Sequence, residues 1–111
     1  METKPPFRDK VYAAVARIPR GKVASYGLIA IVAGRVGAAR AVGALMRNVP
    51  QNLKLPCHRV IKSDGSLAPA RIFRGNQKRL LAEEGILVER NGRVDMEKYE
   101  WDGASRGKRL P

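Results

Sequence analysis

The 111-residue sequence contains one cysteine, Cys57, and one histidine, His58. A lone cysteine cannot close an internal disulfide, so a reducing, cytoplasmic setting is expected. One cysteine and one histidine also fall short of a metal-ligand set, so no metal and no cofactor are expected. Long apolar runs are missing too. Hydrophobic residues make up 44% of the chain, but no stretch approaches the ~20 residues of a membrane span. The polar segment Met1 to Lys10 has no apolar signal-peptide core. The length fits one domain with a real core and leaves little room for a second. No internal repeat is present.

Acidic residues are scarce and unevenly placed. Lysine and arginine total 22 against 10 acids, a formal net charge of +12. Between Lys10 and Ser63 there is no acid at all, but there are ten bases: Lys10, Arg17, Arg20, Lys22, Arg35, Arg40, Arg47, Lys54, Arg59 and Lys62. The acids gather after Asp64, chiefly as Glu83, Glu84, Glu89, Asp95, Glu97, Glu100 and Asp102. A half of one sign suggests a surface that faces a polyanion, for which nucleic acid is the usual partner. The plainer alternative is solvated charge on a generally basic protein.

Phe7, Val11, Val15 and Ile18 recur at helical spacing, so a helix is expected from Pro5 to Arg17, stopped by Pro19-Arg20-Gly21-Lys22. Ser25 is a candidate N-cap for a second helix through Val32, ended by Gly34. After a tight turn at Gly34 to Gly37, a third helix from Ala38 to Arg47 is crowded with small residues: Ala38, Ala39, Ala41, Gly43 and Ala44. Two short helices across a glycine turn make a helix-turn-helix pattern. The small side chains suit either close approach to another surface or tight packing within the core. Pro50 to Phe73 reads mostly as loop with short extended pieces, and Asn76 to Glu84 as a helix ended by Gly85. Ile86 to Val88 and Arg93 to Val94 flank Asn91-Gly92, a hairpin turn signal. The domain is expected to span residues 1–102, with a basic, disordered tail over 103–111.

Leu55-Pro56-Cys57-His58-Arg59-Val60-Ile61 sets the thiol beside the imidazole. A thiol attacks as thiolate, and its pKa falls near cations such as His58 and Arg59. Neighbouring side chains rarely point the same way, so a water bridge between Cys57 and His58 is the natural geometry. A carboxylate such as Glu84 could orient the imidazole. On spacing alone, a lone cysteine is more often an inert core residue and a lone histidine more often a structural hydrogen-bonder.

Pro56-Cys57-His58-Arg59-Val60 resembles the PCHRV active-site signature of the O6-alkylguanine-DNA alkyltransferases. The likeness runs in order from Val11 to Gly85. It takes in Gly21-Lys22-Val23, Ser25-Tyr26-Gly27, Ala38-Ala39-Arg40-Ala41-Val42-Gly43 with Met46-Arg47, Ser63 and Gly65, and Leu80-Leu81-Ala82-Glu83-Glu84-Gly85. The resemblance implies a mainly α domain with a small β hairpin, winged-helix-like and containing the helix-turn-helix. It implies that Cys57 accepts the alkyl group, His58 deprotonates it through water and Glu84 orients His58. Tyr26 would push the 3′ phosphate, and Arg40 would fill the stack left by the flipped nucleotide. Ala38, Gly43 and Arg47 would lie at the minor groove. The pocket would be formed by Pro56 and Arg59 with the loop residues Ala70 and Arg71. Flipping is needed because the O6 substituent cannot be reached inside a duplex. The implied partner is double-stranded DNA carrying O6-alkylguanine, bound by a monomer, and the thioether product makes the transfer a single turnover.

Some positions depart from the repair enzymes. The resemblance covers only their C-terminal domain. Val49 stands where they have a hinge asparagine, and Ala70 and Arg71 replace their pocket Tyr-Ser pair. Asn48-Val49-Pro50 and the end from Gly92-Arg93-Val94-Asp95 to Tyr99-Glu100-Trp101 are similar instead to the alkyltransferase-like proteins. Those bind O6-alkylguanine without repair and pass it to nucleotide excision repair. Two expectations follow, a minimal alkyltransferase or a lesion sensor, and the intact Cys57, His58 and Glu84 favour the first. A helix-turn-helix regulator with a packed Cys57 is the alternative of another class, and it would prefer one sequence regardless of alkylation.

Overall fold

Apolar spacing sets the first helix. α1 (Phe7–Arg17) buries Val11, Ala14 and Val15 along one stripe, and Ile18 continues it past the end. The computed structural model describes residues 5–69 and 76–104. The expected pocket positions Ala70 and Arg71, and the tail from 105 onward, lie outside the described residues.

β1 (Ala24–Ser25) leads directly into α2 (Tyr26–Val32). Ser25 caps α2 as expected, its Oγ accepting from the Leu28 amide at 3.0 Å. Gly34 and Gly37, at φ +92° and +86°, turn the chain into α3 (Ala39–Arg47). These are left-handed conformations that other residues resist. α3 buries Val42 and Met46, four residues apart, against α1 and α2. Its remaining face carries Ala39, Arg40, Gly43, Ala44 and Arg47 toward an open cleft.

The middle stretch is more ordered than its composition predicts. It holds two 3-10 turns, Gln51–Leu53 and Cys57–Arg59, and the strand β2 (Val60–Ile61). β2 pairs with β1 in parallel, Ala24 opposite Val60 and Ser25 opposite Ile61. Parallel strands need a long crossover, and α2, α3 and the 3-10 turns supply it. The pleat then divides the interior. Val60 and Ala24 enter a larger core with α1, α2, α3 and Trp101, whereas Ile61 and Val23 enter a smaller one with Leu81, Ile86 and Val94.

α4 (Gln77–Glu83) falls within the expected helix. The expected hairpin is reduced to a turn. Glu89 N–H donates to the Arg93 carbonyl at 2.9 Å, and Val88 and Val94 form an isolated antiparallel bridge. Val94 is drawn off to the Gly65 carbonyl instead, its amide donating at 2.8 Å. Thus the two-stranded sheet among the described residues is parallel and long-range, not a local hairpin.

A short helix the sequence did not suggest, α5 (Met96–Tyr99), is capped by Asp95, whose Oδ1 accepts from Glu97 N–H. The chain then returns beside β1. Trp101 N–H donates to the Val23 carbonyl at 2.7 Å, and the Trp101 ring is buried beneath the Arg17 guanidinium. Arg17 Nη2 also donates to the Ala104 carbonyl at 2.9 Å, and a Cβ at Gly103 would press on Leu28 and Val32. Gly103 and Ala104, assigned to the loose tail from sequence, are therefore tied to the body. None of the described helices is long and apolar enough to cross a membrane.

Candidate active site and nucleic-acid interface

The Cys57–Arg59 turn sits between Pro56 and the buried strand β2. Cys57 N–H donates to the Leu55 carbonyl at 2.8 Å and Arg59 N–H to the Pro56 carbonyl at 3.0 Å. This folding sends His58 and Arg59 toward Glu84, the residue that ends α4. His58 Nε2 lies 2.8 Å from Glu84 Oε2. Arg59 grips the same carboxylate with two donors, Nε to Oε1 and Nη2 to Oε2, each at 2.8 Å. Its Nη1 donates to the Ile18 carbonyl at 2.7 Å, anchoring the group to the end of α1.

The Glu84 side chain is only 6% exposed. Burial raises its pKa, but the hydrogen bonds from Arg59 and then His58 outweigh it and hold the carboxyl at about 2. Glu84 is thus an anion that can only accept. His58 Nε2 must therefore carry the proton it shares with Glu84, which in the neutral ring leaves the Nδ1 lone pair available as a base.

Cys57 is half-buried, and burial pushes its thiol up against a weaker opposing pull from its own backbone amide. This corrects the expectation that cationic neighbours would lower it. The Arg59 charge is committed to Glu84 and does not serve the sulfur. Arg59, expected at the pocket, is a clamp on Glu84. Cys57 rests as a thiol and needs a base to become a nucleophile.

Gln77 was not singled out from sequence. It is 3% exposed, and its Oε1 accepts from Ala68 N–H at 2.8 Å. Its Nε2 donates to the carbonyls of His58 at 3.0 Å and Val60 at 3.1 Å. Its place four residues before buried Leu81, on the same helical stripe, was the signal available in the sequence.

Tyr26 begins α2 beside this turn. Burial raises its hydroxyl pKa, Arg47 pulls against that, and Cys57 adds to the rise, so the phenol keeps its proton. Tyr26 also borders a cleft of about 550 Å³ lined by Ala39, Arg40, Gly43, Ala44, Arg47, Lys62 and Pro69. An adjoining hollow of about 430 Å³ shares Tyr26, Ala39 and Lys62 with it. Arg40, Gly43 and Arg47 meet there as their helix phase requires. Ala38 does not line this cleft; it packs against the larger core at the start of α3.

Half of the basic run is used internally. Arg17 stacks on Trp101, Arg20 donates to the Glu83 carbonyl, Lys22 to the Lys98 carbonyl, Arg35 lies over Phe7, and Arg59 holds Glu84. The side chains of Lys10, Arg40, Arg47, Lys54 and Lys62 make no hydrogen bond to a described residue, and three of them converge on the cleft. No group of three or more metal-ligating side chains occurs among the described residues.

Residues 6–86 match the family model described as 6-O-methylguanine DNA methyltransferase, DNA binding domain. The chain is 35% identical over 102 residues to the DNA base-flipping protein of Escherichia coli, covering 92% of this chain and 79% of that one. It is 43% identical over 86 residues to the methylated-DNA–protein-cysteine methyltransferase of Salmonella typhimurium, covering 75% of this chain and 48% of that enzyme. The crystal structure of S. pombe Atl1 in complex with damaged DNA containing O6-carboxymethylguanine superposes with a TM-score of 0.77 at 36% identity. It covers 91% of this chain and 99% of that one. The relatives thus include both methyltransferases and base-flipping proteins. With residues 6–86 matched by the family model and a relative aligned over 92% of its length, the chain belongs to the 6-O-methylguanine DNA methyltransferase family.

Proposed function

We propose that this protein binds duplex DNA through α3, extrudes O6-alkylguanine and takes the alkyl group onto Cys57. The observation that carries this reading is the anionic Glu84 bonded to His58 Nε2, beside the family's cysteine. His58 Nδ1 takes the thiol proton, through one water. The sulfur attacks the alkyl carbon, the carbon–O6 bond breaks with its electron pair passing to guanine, and the proton held by His58 is given up to water as guanine takes one up, which restores the normal base. A raised thiol pKa suits this sequence, because the sulfur is activated only when His58 and a substrate are both in place. The thioether does not turn over, so each chain acts once. Tyr26 and Arg40 stand at the cleft as the residues that press the phosphate and fill the vacated stack. The reading places the protein in the cytoplasm as a monomer.

A second reading is favoured by the near full-length likeness to S. pombe Atl1. Here Cys57 stays unreactive, and the bound lesion is passed to nucleotide excision repair proteins. Intact mass after incubation with an O6-methylguanine duplex separates the two. The first reading expects a gain of one methyl on Cys57, absent in Cys57→Ser, which should still bind the lesion. Lesion binding by the wild type with no mass gain would establish the sensor and refute transfer.

A further inference from the structure

The parallel sheet places side by side two residues far apart in sequence. Tyr26 follows the end of β1 and Lys62 follows the end of β2, and parallel strands run out on the same side. Lys62 therefore joins Tyr26 in both hollows. In the larger one it faces Arg40 and Arg47 of α3. Its side chain is exposed and makes no hydrogen bond to a described residue, its backbone alone being paired with Ser66 and Gly65. The nearby Asp64 feels the Lys62 charge but is hydrogen-bonded elsewhere: its Oδ1 accepts from Ser66 N–H at 2.9 Å and from Ser66 Oγ at 2.6 Å, and its Oδ2 faces Arg93.

We propose that Lys62 is a phosphate-binding residue on the wall opposite α3, gripping the DNA backbone next to the extruded nucleotide. This rests on the DNA-flipping reading above and adds to it a residue outside the helix-turn-helix. The rigidity of β2 gives the contact its value. Val60 and Ile61 are buried and paired with β1, so Lys62 and the Cys57–Arg59 turn are the two ends of one fixed piece of backbone. A phosphate held at Lys62 fixes the strand in relation to the thiol. Binding energy of that kind positions a reactant rather than merely attracting it. Lys54, also exposed but outside the cleft, lacks this relation and serves as the comparison.

The test uses anisotropy titrations of an O6-methylguanine duplex and its undamaged counterpart at several salt concentrations. Every protein carries Cys57→Ser, so that transfer does not intervene. Lys62→Gln should weaken lesion binding about tenfold, the scale of one charge-assisted contact. Its effect on the undamaged duplex should be much smaller, and the salt slope on lesion DNA should fall by about 0.9. Lys62→Arg should restore the affinity, and Lys54→Gln should shift both duplexes alike. If Lys62→Gln lowers both affinities by one factor, or neither, Lys62 is ordinary surface charge and the proposal fails alone. If the parent protein shows no lesion preference, the flipping reading fails and this proposal with it.

Discussion

Gly43 lies on the cleft face of α3, with open space where a Cβ would stand. Nothing inside the folded protein calls for glycine there, and a helix interior normally disfavours it by roughly 0.5–1 kcal/mol relative to alanine. Gly43→Ala should therefore raise the denaturation midpoint while weakening binding to duplex DNA. Unchanged DNA affinity in that variant would mean that α3 does not approach the helix closely at this point. Glu84 behaves in the opposite way, being needed inside. Its folded pKa of about 2 lies below its ordinary value of 4.5. A depressed carboxyl stabilises fully above the unfolded value and loses that contribution as pH falls through the folded one. Wild type should exceed Glu84→Gln in stability by ~3 kcal/mol at neutral pH, and the gap should close between pH about 4.5 and about 2. Urea unfolding at pH 7 and pH 3 checks this; a gap independent of pH would show that the ionised form is not what stabilises.

At the scale of elements, α4 holds the signature turn at two places. Gln77 at its start binds the backbone carbonyls of His58 and Val60, and Glu84 at its end binds the side chains of His58 and Arg59. The end itself is seated by Arg20 Nη2 on the Glu83 carbonyl, a cation satisfying the last turn of a helix. The signature turn is thus held by a helix far along the chain, His58 by its ring at Glu84 and by its backbone carbonyl at Gln77. Gln77→Leu preserves the apolar bulk but removes the side-chain partner of the buried Val60 carbonyl, the part-buried His58 carbonyl and the buried Ala68 amide. The expected loss is about 2–5 kcal/mol in urea unfolding. A loss below ~1 kcal/mol would show that water or neighbouring groups replace the amide.

At the scale of the whole molecule, a net charge of +12 overstates the surface offered to DNA. Arg17, Arg20, Lys22, Arg35 and Arg59 are spent within the fold, whereas Arg40, Arg47 and Lys62 converge on the cleft. Lys10, unlike the stacked Arg17, is the suitable peripheral control. Affinity for normal duplex should fall steeply with salt as counterions are released. Lys10→Ala should weaken normal and alkylated duplexes equally. Arg40→Ala should cut the preference for an O6-methylguanine duplex, because flipping costs a few kcal/mol and less of that is recovered without the side chain in the stack. Paired titrations at fixed salt decide the point. Equal losses on both duplexes would reduce Arg40 to a phosphate contact.

Local order was legible from sequence alone. The phase of Val11 and Val15, the Ser25 cap and the glycines at 34 and 37 located α1, α2 and α3, because helices and tight turns depend on nearest neighbours. The signature around Cys57 and the acid-free run up to Ser63 pointed to the chemistry and to the partner. Tertiary structure decided the rest. The pairing of β1 with β2, the return of Trp101 beside Val23 and the Gln77 anchor all join residues distant along the chain, and short segments carry no periodicity that could announce them. Which cations serve DNA, and whether Arg59 assists the sulfur or Glu84, likewise depends on what the fold sets beside each charge. The sequence counts charges, whereas only packing assigns them partners.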